Sequence, residues 1–395
     1  MTSGPAICLI IGALPSSLVN FRGPLLRAMR AKGHSVLAAA NGRDAGTEAA
    51  LREMGVAYCP VRMARAGMNP LVDAATLADL VRLVRRVNPD LVLNYTIKPV
   101  VYGGMASRIC GVKSIYSLVT GLGYAFMETA SLRQQWAGRL ARLLYRASLR
   151  HSRRVFFQNP DDARAFIDLK LVDARQTVQV DGSGVDLEKF SAVAPRRTQT
   201  VRDDPAIRFL LIARLLKDKG IMEYVEAARR ARQTRPRSEY HLLGPFDPNP
   251  AALTPAAVES WETEGWIHFH GEQGDVRPFL AQCDVYVLPS YREGTPRTVL
   301  EAMAMGRAII TTDAPGCRET VREGEGGWIR QGPLKIGTNG ILVPTRDANA
   351  LAEAMEYFIQ RPNEIARMGA ESRRYAQERY DVHKVNAAML EAMGL

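Results

Sequence analysis

Two glutamates eight positions apart, Glu293 and Glu301, stand in the segment PSYREGTPRTVLEAMAMG at residues 289–306. The apolar run CDVYVLPS just before reads as a buried parallel strand. Thr295 can cap a following helix, Pro296 suits its first position, and Gly306 marks its end. The order is therefore strand, carboxylate-bearing loop, helix N-terminus, second carboxylate. The unbonded N–H groups and dipole of a helix N-terminus attract anions. A carboxylate farther in repels phosphate but accepts hydrogen bonds from sugar hydroxyls. The combination fits a nucleotide diphosphate attached to a sugar. Arg214 and Lys219, five positions apart in IARLLKDKG, follow the strand FLLIA and precede a helix. Two cations at the mouth of a sheet can neutralise a diphosphate and stabilise it as a leaving group.

Other chemistries find little support. There is no D-x-D metal motif and no His/Cys cluster with ligand spacing, so catalysis without metal or cofactor is expected. Of the six histidines, His34 reads as structural, between a helix and a strand. His268 and His270 alternate in IHFHG, which predicts one buried and one lining a loop. No Ser-His-Asp or Cys-His arrangement is forced. After the first strand, GALPSS departs from G-x-G-x-x-G, which weighs against an NAD enzyme.

The elements that must position these groups alternate between strand and helix through both halves, an α/β pattern with parallel sheets. AICLIIG, SVLAAAN, LVLNYT, SIYSLVT and RRVFFQN read as strands of the first half, and LVDAATLADLVRLVRRV as an amphipathic helix stopped at Asn88-Pro89. GALPSSLVNFRG reads as a strand-end loop. IRFLLIAR, EYHLLGP, IHFHGE, DVYVLPS and AIITTD repeat the strand pattern in the second half. The polar, aperiodic stretch 191–205 reads as a linker. The expected layout is a Rossmann-like domain at 1–190, a second at 206–374, and a cleft between them. A terminal helix at 375–395 packs either back on the first domain or on the second. Ligands in such sheets bind beyond the carboxyl ends of the strands.

A chain of 395 residues, 47% hydrophobic and 24% charged, has ample material for two cores. Its formal net charge is +11, and residues 1–190 hold the whole excess, with 25 Lys+Arg against 14 Asp+Glu. That asymmetry points to an anionic partner for the first half. Five scattered cysteines without a C-x-x-C pair fit a reducing cytoplasm. AICLIIGAL lacks the basic flank of a signal peptide, and no apolar run reaches the ~20 residues that span a bilayer. Residues 129–160 contain no acidic residue but seven arginines, among them Arg133, Arg139, Arg142, Arg146 and Arg150. The last four recur at three- and four-residue steps on one helix face, with Leu140, Leu143, Leu144 and Ala147 opposite. With Trp136 and Phe126–Met127 nearby, this reads as a membrane-surface helix or as a solvated helix with its apolar face in the core. No nucleic-acid recognition motif accompanies the charge.

These residues resemble the family-4 retaining glycosyltransferases of GT-B fold, nearly end to end. The resemblance is most specific in REGTPRTVLEAMAMGRAIITTDAPGCRETV, an E-x7-E motif, and in IARLLKDKG. NYTIKPVVYGG, SLVTGLGYAF, FFQNPDD and VDGSGVDLEKF resemble the bacterial subgroup that extends lipid-linked oligosaccharides. That resemblance implies transfer of N-acetylgalactosamine, galactose or a related sugar from UDP to an undecaprenyl-diphosphate saccharide; the acid-free basic stretch separately predicts an enzyme peripheral on the inner face of the cytoplasmic membrane. It implies that Glu293 meets the donor sugar at the reaction centre and that Glu301 accepts bonds from the ribose. It further implies that Arg214 and Lys219 hold the diphosphate, helped by the backbone N–H groups of Arg297 and Thr298. Gly12 would let backbone approach the diphosphate; Asn20, Phe21, Arg22, Lys98 and Thr120 would face the acceptor. Two positions depart from the family. Pro296 has no N–H where many relatives have glycine, and Thr120 in LVTGLG stands where many carry a histidine. Without that histidine, same-face attack with the leaving phosphate taking the acceptor proton is expected. A GT-B-fold UDP-sugar 2-epimerase is the alternative; the acceptor-like NFRG and TIKP segments weigh against it.

Overall fold

A computed structural model describes residues 4–64, 69–121, 132–194, 200–201, 204–249 and 251–395. The chain forms two units. One runs to Ser183 and takes back His383–Leu395; the other spans Gly184–Val382.

The first unit is built on β1 (Ile7–Ile11), β2 (Ser35–Asn41), β3 (Ala57–Val61), β4 (Leu91–Tyr95), β5 (Ser114–Val119), β6 (Arg154–Phe157) and β7 (Thr177–Gln179). They make one parallel sheet in the order β3-β2-β1-β4-β5-β6-β7. Its helices are α1 (Pro15–Asn20), α2 (Gly23–Ala31), α3 (Ala45–Glu53), α4 (Pro70–Val87), α5 (Gly104–Ile109), α6 (Leu132–Leu149) and α7 (Pro160–Asp168). Cys8, Leu9, Ile10 and Ile11 are all fully buried, as a strand covered on both faces requires. Alternate residues feed two cores, Cys8 and Ile10 on one face, Leu9 and Ile11 on the other. Asp44 caps α3 by accepting from the Thr47 N–H, and Asn159 caps α7 through the Asp162 N–H; each such cap contributes about 1 kcal/mol.

The second unit repeats the scheme. Its sheet contains β10 (Arg208–Ile212), β11 (Glu239–Leu243), β12 (His268–Phe269), β13 (Val285–Leu288), β14 (Ala308–Thr312), β15 (Ile329–Gln331), β16 (Leu334–Ile336) and β17 (Gly340–Val343). The order is β12-β11-β10-β13-β14-β17-β16-β15, parallel except for the β15–β16–β17 meander at one edge. Its helices are α8 (Ile221–Thr234), α9 (Pro255–Thr263), α10 (Arg277–Gln282), α11 (Arg297–Ala304), α12 (Ala348–Gln360) and α13 (Pro362–Arg379). In each sheet the chain builds outward one way and then returns to the other side of its first strand. The topological switch points lie between β1 and β4 and between β10 and β13. The crevice at such a point is where open α/β sheets bind ligands.

Several sequence expectations need correction. GALPSSLVN is not all loop: Pro15 starts α1 at its first position, and buried Leu18 anchors the turn in the core. The stretch 191–205 contains a short antiparallel pair, β8 (Thr200–Val201) and β9 (Asp204–Pro205), and belongs with the second unit. The terminal helix at 375–395 is two helices. α13 ends at Arg379 and α14 (Val382–Met393) follows. The break is pinned by Val185, whose N–H donates to the Tyr380 carbonyl at 2.7 Å and whose carbonyl accepts from Val382. Met389, Leu390 and Met393 of α14 enter the first unit's core, where the Tyr116 hydroxyl donates to the Met393 carbonyl at 2.8 Å. His268 is exposed and His270 half-buried, so neither is a core residue.

On α6, Tyr145, Ser148 and Leu149 face the core. Leu140 and Leu143, expected on the inner side, are 48% and 65% exposed, beside the exposed Arg139, Arg146 and Arg150. Arg142 is half-buried. The outward face is thus both basic and apolar. Phe126–Met127 and the side chains of Arg133 and Trp136 lie outside the described residues. All five cysteines are unpaired, and Cys8, Cys283 and Cys317 are buried.

Candidate active site

The second unit brings its two motifs together at the β10/β13 switch point. The KDK turn after β10 lies against the loop after β13: the Tyr291 N–H donates to the Asp218 carbonyl at 2.9 Å, and the Ser290 hydroxyl donates to the same oxygen at 3.2 Å. Gly220, left-handed at φ 71°, permits this contact, since a Cβ there would lie 2.0 Å from the Pro289 carbonyl oxygen. As a result Lys219 Nζ reaches Glu293 Oε1 at 2.5 Å, with side chains 14% and 18% exposed. Burial disfavours the Lys219 charge, but Glu293 outweighs it, and the pKa lies above the ordinary lysine value.

Behind Glu293 stands the turn after β14. The Glu293 N–H donates to the Pro315 carbonyl at 3.0 Å. Gly316, at φ 81°, sits so close that a Cβ would lie 2.2 Å from the Glu293 carbonyl oxygen. Asp313 holds that turn through Arg318 at 2.8 Å and an ion pair with Lys335. Burial pushes the neighbouring Cys317 thiol up to about 12, so it is neutral at physiological pH.

The helix start differs from the expectation. Pro296 is the N-cap residue, without a side-chain cap bond, and Arg297 is the first helical residue; Thr295 is not the cap. Pro296 has no N–H to offer and already has extended backbone geometry, which leaves helix entry to Arg297. Glu301, one turn in, is buried at 6% exposure and accepts from Arg297 Nε at 2.8 Å. Burial pushes its carboxyl above the usual range, and Arg297 opposes that shift. The Thr298 hydroxyl accepts from the fully buried Tyr286 hydroxyl at 2.6 Å and donates to the Ile212 carbonyl at 3.3 Å, which ties α11 to the end of β10. Arg214, 48% exposed, pairs with Asp247 at 2.8 Å.

The first unit gathers a second set around β1 and β4. Gly12 follows β1, but the space above it belongs to Tyr95: a Cβ there would lie 2.3 Å from the Tyr95 hydroxyl. The space at Gly12, expected to let backbone approach the diphosphate, is filled by the Tyr95 ring, whose hydroxyl bonds Ser17 Oγ at 2.8 Å. Arg22 is 2% exposed and stacks over Tyr95 at 5.5 Å; it is a buried cation–π partner, not an open acceptor group. Asn20 ends α1, and Phe21 is 42% exposed beside it. Lys98 pairs with Asp73 of α4 at 2.7 Å, both nearly buried. Thr96, between β4 and Lys98, is held at φ 69°, a strained conformation for a β-branched residue, with its hydroxyl oxygen buried. Thr120 is half-buried just beyond β5. Sequence reasoning did not single out Asp247, Asp73 or Tyr95. Each pairs with a residue of another segment; only the D of GPFDP, just past a strand, and the Y of NYTIKP, at a strand's end, were available as signals. Among the described residues no group of three His, Cys, Asp or Glu could hold a metal ion, and no helix is long and apolar enough to cross a membrane.

Two Rossmann-like units with charged groups at both switch points define an α/β protein of the nucleotide-handling class. Residues 22–181 match the glycosyl transferase 4-like domain, and residues 206–361 match the glycosyl transferases group 1 family. The chain belongs to these glycosyltransferases, one domain of the pair in each half. It is 27% identical over 361 residues, 87% of this chain and 92% of the relative, to N,N'-diacetylbacillosaminyl-diphospho-undecaprenol alpha-1,3-N-acetylgalactosaminyltransferase of Campylobacter jejuni. It is 23% identical, over 70% of this chain and 71% of the relative, to a UDP-Gal:alpha-D-GlcNAc-diphosphoundecaprenol alpha-1,3-galactosyltransferase of Escherichia coli. Among solved structures, Anabaena HepE in complex with UDP and glucose aligns with a TM-score of 0.73 at 18% identity over 99% of this chain and all of that one. Sucrose-phosphate synthase of Thermosynechococcus elongatus aligns at 0.75 and 18% identity, over 98% of both chains. The fold is GT-B.

Proposed function

We propose that this glycosyltransferase moves N-acetylgalactosamine or galactose from a UDP-sugar to an undecaprenyl-diphosphate-linked saccharide, with retention and without a metal or other cofactor. The observation that carries the donor assignment is the convergence of Lys219, Glu293, Arg297 and Glu301 on one switch point. The diphosphate takes Arg214, Lys219 and the first N–H groups of α11, which stabilise charge as it develops on the leaving group. Glu301 receives the ribose hydroxyls and Glu293 the sugar. In the transfer, the acceptor hydroxyl oxygen bonds to the anomeric carbon as the bond from that carbon to the β-phosphate oxygen breaks. The hydroxyl proton passes to that departing oxygen, so no protein base is needed. Lys219 holds Glu293 in place at 2.5 Å, giving it an electrostatic and positional role. The relatives named for undecaprenyl-linked acceptors support the acceptor class.

The same reading places the enzyme on the cytoplasmic face of the membrane, with Arg139, Arg142, Arg146 and Arg150 toward anionic lipid and Leu140 and Leu143 at the surface. A UDP-release screen over UDP-sugars, with a short lipid-diphosphate sugar as acceptor, tests the function. Release coupled to a lengthened acceptor supports it. Turnover of donor with the acceptor unchanged indicates hydrolysis or epimerisation and rejects it.

A further inference from the structure

After β11 comes GPFDPNPAAL, of which residues 244–249 and 251–253 are described; this loop has no part in the chemistry above. It runs along the segment that carries Arg214 and Lys219. The Leu215 N–H donates to the Pro245 carbonyl at 3.0 Å, Lys217 N–H to Ala251 at 3.2 Å, and Leu253 N–H to Leu215 at 2.9 Å. Leu216 and Ala252 form an antiparallel bridge. Gly244 packs so tightly on this segment that a Cβ would overlap the Ala213 carbonyl oxygen at 1.7 Å. The loop is thus a backbone template for residues 213–217.

Within that loop, Asp247 does two things. Its Oδ1 accepts from the Asn249 N–H at 2.9 Å and closes the local turn. Its Oδ2 accepts from a terminal nitrogen of Arg214 at 2.8 Å, although the Asp247 side chain is only 8% exposed and Arg214 is half out in solvent. A half-exposed arginine otherwise samples many rotamers. A guanidinium gripped along one edge still presents N–H groups on its other edges, in the fork geometry that suits phosphate. A carboxylate beside a phosphate-binding arginine has two opposite consequences. As a mere counter-ion it competes with the ligand; as a mount it holds the cation where the ligand needs it.

We propose that Asp247 is a positioning residue that aims Arg214 at the donor diphosphate, and that the 244–253 loop exists to present it. This rests on the donor reading given above. The discriminating variant is Asp247→Asn. Its amide oxygen can still close the turn to Asn249, while its NH2 group can no longer accept from Arg214. Uridine diphosphate affinity is measured by calorimetry for the wild type, Asp247→Asn, Arg214→Ala and the double variant, with KM and kcat for the donor alongside. Asp247→Asn is expected to weaken UDP about tenfold and to raise KM more than it lowers kcat, as loss of one oriented charge contact does. In the Arg214→Ala background the same change is expected to cost less than about twofold, because there is no cation left to aim. A purely structural role for the loop would persist in that background. Unchanged or tighter UDP binding by Asp247→Asn, or additive effects in the cycle, overturns the proposal. A wild type that binds no UDP rejects the donor reading itself, and this proposal with it.

Discussion

The two units share a fold, yet they treat charge at their switch points differently. In the second unit every candidate donor-binding cation faces a carboxylate from a neighbouring segment or turn: Lys219 with Glu293, Arg297 with Glu301, Arg214 with Asp247. In the first unit Arg22 stacks on an aromatic ring and Lys98 is paired, while Arg139 and Arg146 of α6 are exposed. The contrast is the one the proposed roles call for. A site that stabilises developing charge works by having its dipoles and charges fixed beforehand, and paired, buried side chains are fixed. A surface proposed to meet an anionic layer gains from solvated charge, which acts at range.

The comparison breaks most directly at Glu293. Glu293→Gln keeps the shape but removes the charge opposite Lys219, and transfer is expected to fall about 10²–10³-fold, in line with the loss of one preorganised electrostatic group. Steady-state kinetics with intact UDP binding would confirm it; transfer at the wild-type rate would remove Glu293 from the chemistry. On the first unit, reversing Arg142 and Arg146 to Glu is expected to weaken binding to anionic liposomes about 30-fold, from about 1 kcal/mol per basic residue at the membrane. Flotation that survives both reversals would strip α6 of its role.

Buried pairing in the second unit also has a pH signature. His241 bonds His270 at 2.9 Å and Glu239 at 3.2 Å, with the exposed His268 beside it and Arg208 on Glu239. Burial depresses its pKa to about 4, against an ordinary 6.5. On acidification the unfolded chain takes the proton first. The stability is therefore complete above about pH 6.5 and declines as pH falls toward 4, by about 1–2 kcal/mol after allowance for partial exposure. His241→Gln is expected to flatten that decline in denaturant titrations; an unchanged slope would assign it to other groups. The smallest effect concerns the first unit's strain. Thr96→Gly relieves the left-handed backbone and is expected to raise stability by about 0.5–1 kcal/mol. If donor turnover holds while acceptor KM rises, the strained turn serves the acceptor; if neither changes, it is an accident of packing.

Much of this was legible in the chain because it depends on local spacing. Continuous apolar runs marked the buried strands, and their alternation with helical patterns marked the parallel sheets. The E-x7-E and R-x4-K motifs stood out because both lie next to strand ends that the apolar pattern locates. The α1 helix was missed because its six residues carry too little periodicity to be seen. The cap at Thr295 was misread because Pro296, with its own fixed φ, takes the boundary position. The outward turn of Leu140 and Leu143 was missed because periodicity reports that a helix has two faces, while contact with Phe166 and its neighbours decides which one is buried.

By itself, then, the sequence determined the class of fold, the two halves and the charged motifs that stand at the strand ends. Those are properties of short segments, written in hydrophobic period and in residue type. Tertiary structure alone decided the partners. Lys219 meets Glu293 across 74 positions, and Arg214 meets Asp247 across 33, because the loops after the adjacent strands β11, β10 and β13 leave the same end of the sheet and Gly220 and Gly244 let their backbones close up. Close approach between distant segments depends on strand order and on the absence of a Cβ, and neither leaves a periodic trace in the chain.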